Sequence, residues 1–220
     1  MRLLLLILLA CSSGKLLAQT DSYMLWAEVG AEGKIVKRTK WNAQLNARIG
    51  ERGIETFFPQ VGVEYKLMKW LRPSVEYRFI VDKNKYNNYK VGHRINANIE
   101  AKHNIKRLEY GMRVRYQYSF NRVAQSTYNA DFDQAIRFKP FLEYDINNSI
   151  FTPAISAEFF LNPSYGPSSP GFDKIRFAVG SKLELDGPHS VSFKYQLDKW
   201  LNNYNKGLRH VLSLSYGYKF

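Results

Sequence analysis

The sequence predicts an all-β fold, a single antiparallel transmembrane β-barrel of about ten to twelve strands with short periplasmic turns and longer extracellular loops. Three observations predict it. The stretch Leu208 to Phe220 alternates, with Leu208, His210, Leu212, Leu214, Tyr216, Tyr218 and Phe220 on one face and Arg209, Val211, Ser213, Ser215, Gly217 and Lys219 on the other. The same period of two recurs along the whole chain from Tyr23. Aromatic residues make up 15% of the 220 while the mean hydropathy is −0.38. Past the N-terminus no run of about 18 apolar residues exists, which excludes a helical membrane protein. A barrel evades that test, because lumen-facing residues dilute its outward ones one in two.

The length fits one domain. Residues 1–18 read as a signal peptide, with Arg2 as the positive region, Leu3 to Ala10 as the apolar core and Leu16-Leu17-Ala18 as the cleavage site before Gln19. The barrel then occupies 19–220. A rival processing site is the lipobox-like Leu8-Leu9-Ala10-Cys11, followed by Ser12-Ser13-Gly14, which would leave a lipidated Cys11. Cys11 is the single cysteine, so cleavage after Ala18 leaves no disulfide, thiolate nucleophile or cysteine metal ligand. Loss of Arg2 and Lys15 with the leader takes the formal charge from +13 to +11. In an exported chain that surplus points to lipid head groups and lipopolysaccharide as partners and away from nucleic acid.

The strands follow in order. Tyr23, Leu25, Ala27, Val29 and Ala31 oppose Met24, Trp26, Glu28, Gly30 and Glu32, and a basic turn spans Lys37 to Lys40. Trp41 to Ile49 alternates without exception. Glu51 to Thr56 reads as a longer connection before Phe57 to Leu67, and Met68-Lys69 turns into Leu71 to Val81. Asp82 to Tyr89, rich in Lys and Asn, reads as a solvated loop. Val91 to Lys102 follows, with Asn104 at the turn.

Arg107 to Phe120 is the cleanest segment; only a strand separates Arg113 and Arg115 from the aromatics around them. Asn121 to Asp133 is a polar loop. Ile136 to Asp145 and Phe151 to Phe159 flank an Asn147-Asn148 turn. Asn162 to Asp173, rich in Pro, Gly and Ser, is a loop. Ile175 to Leu185 turns at Asp186-Gly187-Pro188 into Val191 to Leu197. Asp198 to Gly207 is a last polar loop before the closing strand.

Eleven segments is an odd number, whereas bacterial single-chain barrels have even ones. Either the Tyr23 segment does not span, a long loop conceals a strand, or a hairpin is misread. A soluble barrel or sandwich would bury its apolar face and show charge outside. Here Trp41, Tyr65, Trp70, Tyr118, Phe120, Tyr144, Phe151, Tyr216 and Phe220 gather near segment ends, like interfacial girdles.

With the apolar face in lipid, the lumen-facing charged set is Glu28, Arg48, Glu64, Arg72, Glu76, Arg78, Arg94, Glu100, Glu109, Arg113, Arg115, Arg137, Glu143, Glu158, Arg176 and Glu184. Both signs interleave. The set can fill the lumen with cross-strand ion pairs or line a narrow charged pore.

Catalytic spacing is weak. A surface lipase needs Ser and His side by side on one face. His189 and Ser190 lie on opposite faces, as do His210 and Ser213, and His93 has no Ser or Thr two residues away; His103 completes the histidines. No catalytic, cofactor or metal residues are assigned, and the chain is expected not to be an enzyme. Metal-ligand spacing and phosphate-binding Gly loops are absent from the sequence. The alternative function is a lipid-modifying enzyme of lipase or acyltransferase type in the outer membrane.

Leu25-Trp26-Ala27-Glu28-Val29-Gly30, Val75-Glu76-Tyr77-Arg78-Phe79, His93-Arg94, Arg113-Val114-Arg115-Tyr116-Gln117 and Asp173-Lys174-Ile175-Arg176 together resemble an uncharacterised outer-membrane barrel family common in Bacteroidota, known as a domain of unknown function. The resemblance implies a barrel in the bacterial outer membrane and brings no reaction. The terminal aromatic Phe220 matches the signal read by the barrel-assembly machinery, which is the expected assembly partner.

Overall fold

The computed structural model describes residues 21–83, 86, 88–121, 133–163, 171–201 and 207–220. The leader, the lipobox and Cys11 lie outside the described residues. Alternation along the chain gives eleven strands: β1 Ser22–Val36, β2 Thr39–Gly50, β3 Gly53–Tyr65, β4 Leu71–Lys83, β5 Tyr89–Ile105, β6 Leu108–Asn121, β7 Asp133–Tyr144, β8 Phe151–Asn162, β9 Gly171–Glu184, β10 His189–Trp200 and β11 Leu208–Lys219. They close into one barrel in sequence order.

All neighbours pair antiparallel except at the seam, where β1 and β11 run parallel from Ser22↔Arg209 to Glu32↔Lys219. The expected all-antiparallel barrel is therefore corrected to a mixed one. Among the described residues the odd count stands: the Tyr23 segment is a full strand of the wall, and the barrel closes on eleven strands by a parallel pair. That pair leaves no free sheet edge. It also places the start of β1 and the end of β11 on opposite rims.

Three connections differ from expectation. Glu51 to Thr56 is not a long loop, because Gly53, at φ 78°, lets the chain turn at Glu51-Arg52 and β3 begins at once. A register shift between Arg48 and Ile49 takes up the extra residue, and that shift breaks the alternation by which the strand start would be read. Phe172 and Asp173 belong to β9, and Asp198 to Trp200 to β10, so both neighbouring loops are shorter than their polar composition implies. The short turns at Arg38, Lys106 and Asn148 place those residues at positive φ, and Gly187 turns β9 into β10.

Burial is inverted relative to a water-soluble fold. Among the described residues only Phe58, Ile80 and Val211 are buried apolar side chains, whereas the buried polar set includes Gln60, Asn96, Asn98, Arg115, Arg137, Glu158 and Asp198. Outward positions such as Val61, Val75, Ile99, Ile155, Phe177 and Leu212 stay exposed.

The parallel seam is testable by cross-linking. Glu28 and Ser215 are Cα partners, within the reach of a disulfide. With Cys11→Ser as background, Glu28→Cys with Ser215→Cys forms an intramolecular disulfide on mild oxidation. Glu28→Cys with Tyr216→Cys, on opposite faces, does not. Non-reducing gel mobility reads the result, and the reverse ranking refutes the seam register.

Candidate functional site

The inward face is built around three carboxylates, Glu158 and Asp198 buried and Glu76 half-buried. Glu76 on β4 receives two hydrogen bonds from Arg115 Nη2 on β6, both 3.0 Å, and one from Asn96 Nδ2 on β5 at 3.2 Å. Arg78 lies 3.8 Å from the same carboxylate and donates to Gln60, whose amide donates to Gln44 at 2.9 Å. Glu158 on β8 is met by Arg137 at 2.7 Å, Arg113 at 3.4 Å and Arg176 at 3.8 Å. Asp198 on β10 accepts two bonds from Arg176, 2.5 and 2.8 Å, with Lys174 at 3.7 Å. Charge-assisted pairs of this kind are the strong class of hydrogen bond.

Aromatic faces carry cations as well. Arg48 lies 4.3 Å from the Trp26 ring centroid and 5.2 Å from Phe58, and Arg78 covers the other approach to Phe58 at 4.9 Å. Arg176 stacks on Trp26 at 4.8 Å, and Phe160 takes Arg137 and Lys174 at 4.5 and 3.9 Å. Such contacts hold a cation without neutralising it.

Three cavities with shared lining residues lie inside the barrel. The central one, of about 550 Å³, is lined by Glu28, Arg48, Glu76, Arg78, Arg94, Arg113, Arg115, Arg137, Glu158 and Arg176 of the expected set. Lys139, Lys174, Lys194, Asp173 and Arg209 line it too, so eleven Arg and Lys face four Asp and Glu. The surplus is strongly positive. A second cavity of about 340 Å³ adds Glu100, Glu109 and Glu143, and a third of about 400 Å³, at the short-turn rim, adds Glu184. Glu64 and Arg72 line none of these three cavities and pair with each other at 3.9 Å. Glu184 pairs with Lys182 at 2.9 Å near the rim, largely exposed.

Several interior residues lie outside the charged set read from the sequence. Asp173, which lines the central cavity, and Asp198, buried in the wall against Arg176, sit in stretches assigned to loops; a continued period of two past Leu197 would have found Asp198. Lys139 and Lys194 share parity with Arg137 and Gln196 and could have been included on that ground. Trp26, Phe58 and Phe160 hold inward parity too, but aromatic character masks it. Gly111 also matters: a Cβ there would lie 2.6 Å from the Phe141 ring, so the glycine lets Phe141 pack inside the wall.

The histidines face outward. His93, His189 and His210 pair through Nδ1 with the hydroxyls of Tyr77, Tyr216 and Tyr195 at 2.6, 2.7 and 2.6 Å. His103 meets the edge of Tyr110, centroids 5.8 Å apart.

Fold and lumen together define a closed β-barrel with an apolar outer wall and a polar, cation-rich interior. The chain belongs to the family described as protein of unknown function (DUF2490), which it matches over residues 24–206. A comparison with curated proteins gives no match.

Glu158 is 3% exposed and answers three arginines. Glu158→Ala leaves Arg137 and Arg113 without their carboxylate, while Arg176 keeps Asp198, and lowers unfolding stability by about 3–5 kcal/mol. Glu184→Ala, at the exposed rim pair, changes it by less than about 0.5 kcal/mol. Urea midpoints of the refolded barrel measure both.

Proposed function

We propose that this chain is a bacterial outer-membrane β-barrel, without a catalytic role, whose cation-rich lumen forms a narrow passage favouring small anions. The observation that carries the reading is the inverted burial. A barrel with buried Arg115, Arg137, Glu158 and Asp198 and an outward surface of Val, Ile, Leu, Phe and Tyr is matched to an apolar surround, and a closed barrel is one of the two structures that satisfy every backbone group there.

The height of the apolar band supports the same surround. On β5 the outward positions between His93 and His103 are Ile95, Ala97, Ile99 and Ala101. Ten residues at about 3.3 Å each, tilted by ~40°, span about 25 Å, which is the hydrocarbon band of such barrels. The histidines at its two ends pair with or pack on tyrosines, as polar-tipped aromatics do at a lipid–water interface. Engagement of the histidine rings by tyrosine hydroxyls on the outer wall favours a passive barrel over a lipid-modifying enzyme.

Short turns are the periplasmic feature of such barrels, which supports reading the short-turn rim as the periplasmic one. On that reading Phe220 lies at the periplasmic rim, where its amide donates to Glu32 O at 2.8 Å, and β1 begins at the outer rim. The lumen's excess of Arg and Lys raises the local concentration of anions and repels cations.

Two measurements test this. Ile99 is 55% exposed at the middle of the band. Ile99→Arg destabilises the lipid-embedded barrel by about 2–4 kcal/mol and reduces its outer-membrane yield; for a surface in water the same change stays within about 0.5 kcal/mol, and that result overturns the membrane reading. In planar bilayers under a potassium chloride gradient, the reversal potential takes the sign of chloride preference. Absence of current above background overturns the passage.

A further inference from the structure

We propose that the waist of the lumen is a binding site for a divalent oxyanion, a phosphate group or a dicarboxylate. The central cavity and the second cavity share one frame of charged side chains: Glu28, Arg113, Lys139, Glu158, Arg176 and Lys194. Anything moving between them passes this frame.

Most inward cations are already answered. Arg78, Arg115, Arg137, Arg176 and Lys174 each have a carboxylate within 4 Å. Arg48 and Arg209 rest on the faces of Trp26 and Trp200, 4.3 and 4.6 Å from the centroids. Lys139 and Lys194 have neither a carboxylate within 4 Å nor an aromatic face among the described residues, and both line the waist, from β7 and β10, three strands apart in the wall. Arg113, the cross-strand partner of Lys139, reaches Glu158 only through Nη2 at 3.4 Å, and its Nε has no acceptor.

Charge balance sets the ligand's valence. Four cations and two carboxylates frame the waist; Asp198 behind Arg176 and Arg137 behind Glu158 cancel one another, and the remaining surplus of two is neutralised by one dianion. Two ammonium groups suit it because each is a compact point charge with three donors. Glu28 has no cation within 4 Å among the described residues, so it opposes the ligand and sets an upper bound on affinity. Enclosure by protein strengthens each contact relative to open water. The site requires a polar, cationic lumen but not an open one, so it stands independently of conduction.

The test is titration calorimetry on the full barrel refolded in micelles at low ionic strength, with inorganic phosphate, succinate and chloride as separate titrants. Phosphate or succinate binds with at least tenfold preference over chloride, and the stronger of the two identifies the ligand class. Lys139→Gln with Lys194→Gln weakens that binding at least tenfold, the loss of about one charge-assisted contact, while Lys182→Gln at the rim leaves it unchanged. Glu28→Gln tightens it. Heat-modified gel mobility checks that each variant is folded; if the double variant is not, the single lysine variants are used. Equal binding of chloride and both dianions, binding undiminished in the lysine variants, or no binding at all overturns the site. Dianion binding in a barrel without bilayer current would keep the site and discard the passage.

Discussion

Three inward acids, Glu158 and Asp198 buried and Glu76 half-buried, hold the barrel's interior together. Glu76 and Glu158 sit among many more cations, Asp198 is held by Arg176 and Lys174, and several like charges lie directly opposite one another: Arg78 faces Arg94, Arg115 faces Arg137, and Glu109 faces Glu143. Opposed like charges destabilise a strand pair. These pairings are tolerated because compensation comes from elsewhere: Glu76 answers Arg115 from two strands away, Glu158 answers Arg137 from the next, and Lys102 answers Glu109 at 2.7 Å. A buried ion pair contributes little net stability against a hydrophobic replacement. The role of the acids is to make this strand neighbourhood acceptable, while the continuous ladder of backbone bonds supplies the wall.

Among the described residues, this inward belt of side-chain bonds does not cross the parallel seam, where the polar contacts are those of Asp21 with Leu208 N and His210. From Gln44 on β2 round to Asp198 on β10, hydrogen bonds and ion pairs link strand to strand. At β11 and β1 the inward residues include Val211, fully buried, and Trp26. Trp26 closes the ring by carrying both Arg48 of β2 and Arg176 of β9 on its indole. The odd strand number makes the parallel seam, and the inward tryptophan bridges it.

The strand pattern was legible because one face had to be apolar and the other polar, and a period of two records that directly. Glu28, Arg113, Arg115 and Glu158 could be placed by parity alone. What could not be read depends on chain neighbours distant in sequence. Whether the first strand meets the last in parallel is a property of closure, invisible in either strand. Asp198 was hidden because a polar residue beside a polar loop looks like loop, although its burial comes from Arg176 on another strand. The register shift at Ile49 erased the alternation that would have marked the start of β3.

Whether charged side chains plug a barrel this size depends on how far they reach. Strands lie about 4.8 Å apart, so a pair joining strands one or two apart follows the wall, whereas a pair crossing the axis obstructs it. The carboxylate pairs here join neighbours or next neighbours: Arg176 with Asp198, Arg137 with Glu158, Arg113 with Glu158, Arg115 with Glu76. Wall-hugging pairs use the acids locally and leave the axis to cavities bounded by the remaining cations. A lumen could hold as many charges and be filled if its acids and bases alternated across the axis. The placement of the acids on β4, β8 and β10, each beside its own bases, is what separates a cationic interior with space from a neutral interior without it.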